Sequence, residues 1–189
     1  MDYKVSIHAI DYLANLYDNK KINKLSVLKL LFFAERYHLR KYARTITEDT
    51  FFAMKLGPVA SGAKDILDNV GTKEGQVSNA ILERISTNIY KSKQTLVDND
   101  YEELSETDKE ALNFAFNTFS HLAPMELVEE THKYPEWSKF SSQFSDTSSK
   151  RENIDINDFF SELISDDDPY KCIPQEHVKL SQELFTTGF

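Results

Sequence analysis

The chain has 189 residues, a net charge of −9 and a single cysteine. It has no apolar run of about eighteen residues and no secretory signal pattern at its start, so we expect neither a membrane-spanning helix nor a secreted protein. One cysteine excludes an internal disulfide and a cysteine-rich zinc site, and the acidic charge argues against broad attraction to nucleic acid or to anionic membranes. We therefore expect a soluble, cytoplasmic protein.

The first two predicted elements are helices. Apolar residues recur at helical spacing over residues 3–17 and again over residues 25–42. In the second helix they fall on two separate stripes, so this helix should pack on more than one side. We interpret it as the central helix of a small domain.

A short strand should follow the central helix. Residues 46–56 are rich in residue types that suit strands. Pro58 should then bar strand pairing and start a helix over residues 59–69. The polar segment 71–79, which contains two glycines, is predicted to be a mobile loop.

The middle of the chain predicts a second β element and two helices. Residues 85–97 favour a small β element that pairs near the first strand. Ser105 with Asp108 forms a variant of the capping box before an apolar helix, and Pro124 starts a shorter helix. Pro135 should close this block.

The last part of the chain predicts a linker and two helices. Residues 138–149 are rich in serine, as in a linker. Residues 154–164 have the apolar spacing of an amphipathic helix, and a last helix should cover residues 174–185.

Five segments together carry a family resemblance. They are residues 29–39 (KLLFFAERYHL), 51–59 (FFAMKLGPV), 104–106 (LSE), 131–132 (TH) and 135–137 (PEW). In this order they resemble the Panacea domain, found in SocA-like and GepA-like proteins of bacteria and their phages, over about residues 5–140. The chain departs from the family pattern at Met54, where an aromatic residue is usual, and at residues 43–45, where a Gly-containing turn is usual.

The resemblance implies the function of an antitoxin, which binds a toxin encoded beside it and blocks its activity. Binding would be stoichiometric, without catalysis, metal or cofactor. The expected fold is mainly α within the α+β class: a compact helical domain with a small antiparallel β element and a helical C-terminal extension. We expect an antitoxin domain over residues 1–140, a linker over 141–153 and the extension over 154–189.

Charge is distributed unevenly along the chain. Residues 20–44 carry eight basic residues against Glu35 alone, whereas residues 140–189 carry ten acids against four basic residues. In one interpretation, both segments are simply solvated surfaces. In the other, the acidic tail binds a basic partner or folds back on the basic helix. Arg36 and Arg40 share a helix face, either as an exposed basic stripe or as a docking strip for an acidic partner or for phosphates.

Nine residues are candidates for partner binding: Arg36, Arg40, Phe51, Met54, Lys55, His132, Trp137, Phe159 and Phe160. His132 serves either to lock a turn by a hydrogen bond or to contact the partner. Phe51 and Trp137 are more often core residues than interface residues. The spacing of the histidines does not favour a metal site.

Three other functions stay open at this stage. The chain could act as a nucleic-acid-binding regulator of its own operon that uses residues 20–44, or as an adaptor that delivers a bound toxin to a protease. The third alternative is a hydrolase whose histidines and acidic residues come together in the folded chain. If the C-terminal extension shapes the toxin-binding surface, deletion of residues 150–189 from a chain that stays folded should release toxicity.

Overall fold

The computed structural model describes residues 1–94, 101–144 and 151–188, and all statements on the fold concern these residues. Their helices are α1 (Tyr3–Asn15), α2 (Lys24–Tyr42), α3 (Ser61–Asn69), α4 (Gln76–Ile81), α5 (Glu106–Phe119), α6 (Pro124–His132), α7 (Pro135–Ser138) and α8 (Gln175–Thr187). Their strands are β1 (Lys21–Asn23), β2 (Phe51–Met54), β3 (Gly57–Ala60), β4 (Leu82–Ser86), β5 (Ile89–Ser92) and β6 (Glu152–Asn153). The predicted fold class, mainly helical with small antiparallel sheets, is confirmed.

Helix α2 is the centre of the molecule. All fifteen residues from 26 to 40 are buried, because α1, α5, α6, α8 and strand β3 pack around this helix. The helix begins after Asn23, whose side chain accepts a hydrogen bond from the amide of Leu25, and ends at Ala43 in the left-handed conformation. The prediction that this helix packs on more than one side is confirmed.

Strands β2 and β3 form a hairpin, and Pro58 lies inside it. Ala53 of β2 stands opposite Pro58 of β3. The expectation that Pro58 prevents pairing was wrong, because β3 is an edge strand of the sheet β3–β2–β6, where a residue without an amide hydrogen is tolerated. Helix α3 accordingly begins at Ser61, after the strand.

The second sheet has the order β1–β5–β4. The β element predicted over residues 85–97 is present as β4 and β5, but β5 pairs with β1 rather than with the strand at Phe51. Thr95 and Val97, which were assigned to this element, lie outside the described residues. The segment 71–79 is not only a loop, because α4 begins within it at Gln76.

The helices of the second half follow their capping signals. Ser105 caps α5, with the predicted reciprocal hydrogen bonds to Asp108, and α6 begins at Pro124. Pro135 does not end the block but opens the single turn of α7. None of the helices in the described residues combines the length and apolarity that a membrane crossing requires.

The segment 151–188 packs against α2. It begins with β6 on the edge of β2 and ends with α8, which was predicted. The helix predicted over residues 154–164 is wrong: only a short 3-10 turn forms, Ile156–Phe160, capped by the side chain of Asp155. Residues 145–150 of the predicted linker lie outside the described residues.

Candidate partner-binding site

Residues from three parts of the chain meet around Gly57, where β3 begins. In α2, Nζ of Lys29 donates a hydrogen bond to the carbonyl oxygen of Pro58 at 2.7 Å. Gly57 has a φ of +90°, and a Cβ there would lie 2.6 Å from Oγ1 of Thr131 in α6. Burial lowers the pKa of Lys29 to about 7. The hairpin is thus held against α2 and α6 by contacts that leave no space for a side chain at Gly57.

Trp137 holds the other strand of the hairpin. Its Nε1 donates a hydrogen bond to the carbonyl oxygen of Met54 at 2.7 Å, and its ring stacks on His132 with 3.4 Å between centroids. Burial, together with the charge of Lys29, lowers the pKa of His132 to about 4, so the ring is neutral at neutral pH. His132 Nε2 has no hydrogen-bond partner among the described residues. His132 therefore contributes a stacking contact here, and its Nε2 makes no turn-locking hydrogen bond; the alternative role, contact with a partner, stays a prediction.

The hairpin presents its turn to solvent. Lys55 and Leu56, which connect β2 to β3, are exposed, and Met54 is half-buried. Of the nine candidate residues, Lys55 and the half-buried Met54 and His132 are therefore accessible to a partner, and the buried Trp137 supports Met54 through its hydrogen bond.

Arg36 and Arg40 do not form an exposed stripe, so that expectation was wrong. Both side chains are completely buried. Nη1 of each guanidinium donates to the carbonyl oxygen of Phe159 at 2.9 Å, and Nη1 of Arg40 also donates to that of Ser161 at 2.7 Å. Nε of Arg36 lies 3.2 Å from Oε1 of Glu136, which is buried as well. The tail thus folds back on the basic helix, and it binds the arginines through backbone carbonyls rather than through acidic side chains.

The rest of the basic segment is largely neutralised. Lys29 is buried, and three further basic side chains form ion pairs: Lys24 with Asp68, Lys41 with Glu110 and Arg44 with Asp108. The concentrated positive surface that phosphate binding requires is therefore not formed by these residues.

The three candidate phenylalanines belong to the core. Phe51, Phe159 and Phe160 are all buried. The ring of Phe159 packs edge-on against the rings of Phe32 and Phe51, with 5.4 Å and 5.2 Å between the ring centroids. These residues join the C-terminal segment to the domain and are not available as surface contacts.

A groove that the sequence did not reveal lies near the C-terminal end of α2. It has a volume of about 620 Å³, and its walls come from the start of α1, the loop after α2, the segment before α5 and the end of α8. Val5, Ile46, Leu184 and Phe185 supply its apolar surface, and its acidic residues are Asp2, Glu48, Glu102, Glu103 and Asp108. Because four segments that are distant in the sequence form the groove, no local sequence pattern predicts it.

Within the described residues, no three His, Cys, Asp or Glu side chains converge closely enough to hold a metal ion. The family model described as antitoxin SocA-like, Panacea domain, matches residues 27–138, which is more than half of the chain. The chain belongs to the SocA-like antitoxin family. No curated protein and no solved structure is significantly similar to it. The matched Panacea region contains α2 from residue 27 onward, the hairpin and the residues that hold it, whereas the segment 151–188 lies beyond the match.

Proposed function

We propose that this chain neutralises a cognate toxin by direct, stoichiometric binding and catalyses no reaction. The observation that carries the proposal is the burial of three charged residues of the family-like segments: Lys29, Arg36 and Glu136 are buried and contact the backbone or each other. Groups buried in this way build a scaffold and have no access to a substrate. Function then resides in the surface that the scaffold presents to another protein.

Among the candidate residues, we propose that Met54 and Lys55 contact the toxin, with Leu56 between the strands as an added apolar contact. Leu56 is 47% exposed at the turn of the hairpin. The remaining candidates act indirectly, by holding this hairpin and the core beneath it. The single thiol, Cys172, fits a reducing compartment, and we place the interaction in the cytoplasm.

The test uses the product of the neighbouring open reading frame as the toxin. Expressed alone, this product should arrest growth, and co-expression of the present chain should restore it. With both proteins purified, toxin activity should fall linearly and reach zero at a fixed molar ratio. Persistent growth arrest, or inhibition by far less than one equivalent, would contradict binding without turnover.

The same purified assay separates holding from delivery to a protease. Because it contains no protease, full neutralisation there supports inhibition by binding alone. Neutralisation that requires an added cell extract with active proteases supports the adaptor alternative.

A further inference from the structure

The groove at the C-terminal end of α2 is held by rigid contacts. Glu35 is completely buried, and its carboxylate accepts hydrogen bonds from the amides of Ile46 at 2.7 Å and Thr47 at 2.9 Å. These bonds fix the loop that forms one wall. In another wall, Phe185 of α8 packs on Phe160 with 5.9 Å between ring centroids. Two walls of this surface groove are therefore anchored to the folded core, and the groove is preformed.

Two helix N-termini face this groove, and by themselves they would favour an anion. Both are already capped by side chains: the carboxylate of Asp2 accepts from the amides of Lys4 and Val5 at the start of α1, and at the start of α5 the hydroxyl of Ser105 accepts from the amide of Asp108, whose carboxylate accepts from the amide of Ser105. The positive ends of these two helices are thus satisfied within the chain.

The remaining charges make the groove negative. Among the described residues of the lining, Arg44 is the single basic one, and its Nη2 lies 3.0 Å from Oδ1 of Asp108, which balances its charge. Glu48, Glu102 and Glu103 are left on the rim, all exposed, and Glu103 is 3.5 Å from Nε2 of His8. Three glutamates around an apolar surface are complementary to a segment that carries both basic and apolar side chains.

We propose that this groove binds a basic, amphipathic segment of the toxin, with apolar side chains against Leu184 and Phe185 and basic side chains against Glu48 and Glu102. Leu184 is 38% exposed at this position, so an apolar side chain seated on it is removed from water. The proposal rests on the proposed antitoxin function and adds to it a second contact surface, separate from the hairpin turn.

The test compares two double variants, each of which replaces two glutamates by lysines and so changes the net charge by the same amount. Glu48→Lys/Glu102→Lys changes the rim, whereas Glu83→Lys/Glu129→Lys changes exposed acids outside the lining. Likewise, Leu184→Ser lies in the lining, and Leu180→Ser changes an exposed leucine of the same helix outside it. Each variant is checked for an unchanged melting temperature before binding is measured.

Binding is measured by calorimetry with two probes: the product of the neighbouring open reading frame, and a synthetic amphipathic helix of lysine and leucine. The groove variants should weaken binding of both probes about tenfold, and the weakening by charge reversal should shrink as salt rises. The control variants should stay within about twofold of the unmodified chain. Equal affinities of groove and control variants for both probes would overturn the groove as a binding site. If the chain binds the peptide in the groove but does not bind the neighbouring gene product, the result contradicts the proposed function and still supports the groove as a binding site.

Discussion

Gly57 shows how a single position can decide the geometry of the presented hairpin. Gly57→Ala should lower the free energy of unfolding by about 3 kcal/mol, since strain at positive φ and crowding each contribute roughly 1 to 2 kcal/mol. The crowding arises because the new methyl group would lie 2.6 Å from Oγ1 of Thr131 and 2.8 Å from Nζ of Lys29. Unfolding in urea measures the change.

Gly71 supplies the matched control for that measurement. Its φ is +89°, almost the same as at Gly57, but no heavy atom lies within 4 Å of the position of a Cβ. Gly71→Ala should therefore show the backbone strain without the crowding. Equal losses of stability in the two variants would contradict the close packing around Gly57.

Lys29 should make stability depend on pH in the alkaline range. Burial lowers its pKa in the folded state from 10.5 to about 7. Between these values the unfolded chain binds more protons than the folded one, so the free energy of unfolding should rise with pH, and below about pH 7 the contribution should be constant and smallest. Subtracting the stability of Lys29→Met from that of the unmodified chain, measured from pH 6 to 9.5, isolates this rise.

The control for the pH experiment is Lys55→Met, which removes an exposed lysine from the same hairpin region. Its stability should follow the pH profile of the unmodified chain. If Lys29→Met keeps the same pH profile as well, the buried amine is not the source of the dependence.

At the scale of elements, the contact between α2 and α7 depends on a buried ion pair. Arg36→Met leaves the carboxylate of Glu136 without its partner, and Glu136→Leu leaves the guanidinium uncompensated, so each single variant should lose about 3 to 5 kcal/mol. The double variant should lose at least about 1 kcal/mol less than the sum, because neither charge is then left alone. A double-mutant cycle in urea measures this coupling, and strictly additive losses would show that the pair does not interact.

Capping and periodicity predicted the elements whose stability is local. Helix α5 follows from Ser105 and Asp108, and α2 follows from its two apolar stripes. Residues 154–164 have the same periodicity but form only a 3-10 turn, because the carbonyl oxygen of Phe159 is bound by the two arginines of α2 and the chain turns away at Ser161. Tertiary hydrogen bonds determine the structure of this segment, and a local sequence pattern cannot predict them.

For the whole molecule, the candidate site was only partly predictable for the same reason. Met54 and Lys55 were candidate residues in the family-like segment 51–59, and Thr131, His132 and Trp137 also lie in family-like segments. The hairpin itself was not predicted, because Pro58 was expected to bar strand pairing. The environment of Arg36 depends on a carbonyl group 123 residues later in the chain. A charged helix face looks the same in sequence whether solvent or a distant segment covers it.

We therefore propose that the C-terminal segment is part of the folding unit, and we expect that its removal does not leave an intact antitoxin domain. A chain ending at Phe144 loses Phe159 and Tyr170, both completely buried, and leaves Arg36 and Arg40 without their carbonyl partners. We expect it to lose cooperative thermal unfolding, followed by circular dichroism, and to bind a dye for exposed apolar surface. A chain ending at Phe185, which removes the exposed Thr186 and Thr187, should melt like the full chain.

Should the chain ending at Phe144 unfold as cooperatively as the full protein, the segment would be an appendage instead. Deletion of residues 150–189 would then be a valid test of toxin binding. If the segment belongs to the folding unit, as we propose, this deletion is not a valid test of toxin binding, because loss of neutralisation would report loss of the fold.

The charge distribution of the folded molecule also bears on the operon-regulator alternative. Lys29, Arg36 and Arg40 are buried, three more of the eight basic residues form ion pairs, and the net charge is −9. Duplex DNA should therefore show no saturable binding at micromolar protein concentrations in fluorescence anisotropy. The titration is repeated between about 50 and 200 mM salt, because an affinity that falls steeply over this range indicates phosphate contacts. An affinity for DNA that falls in this way would support the regulator hypothesis and would require a basic surface outside residues 20–44.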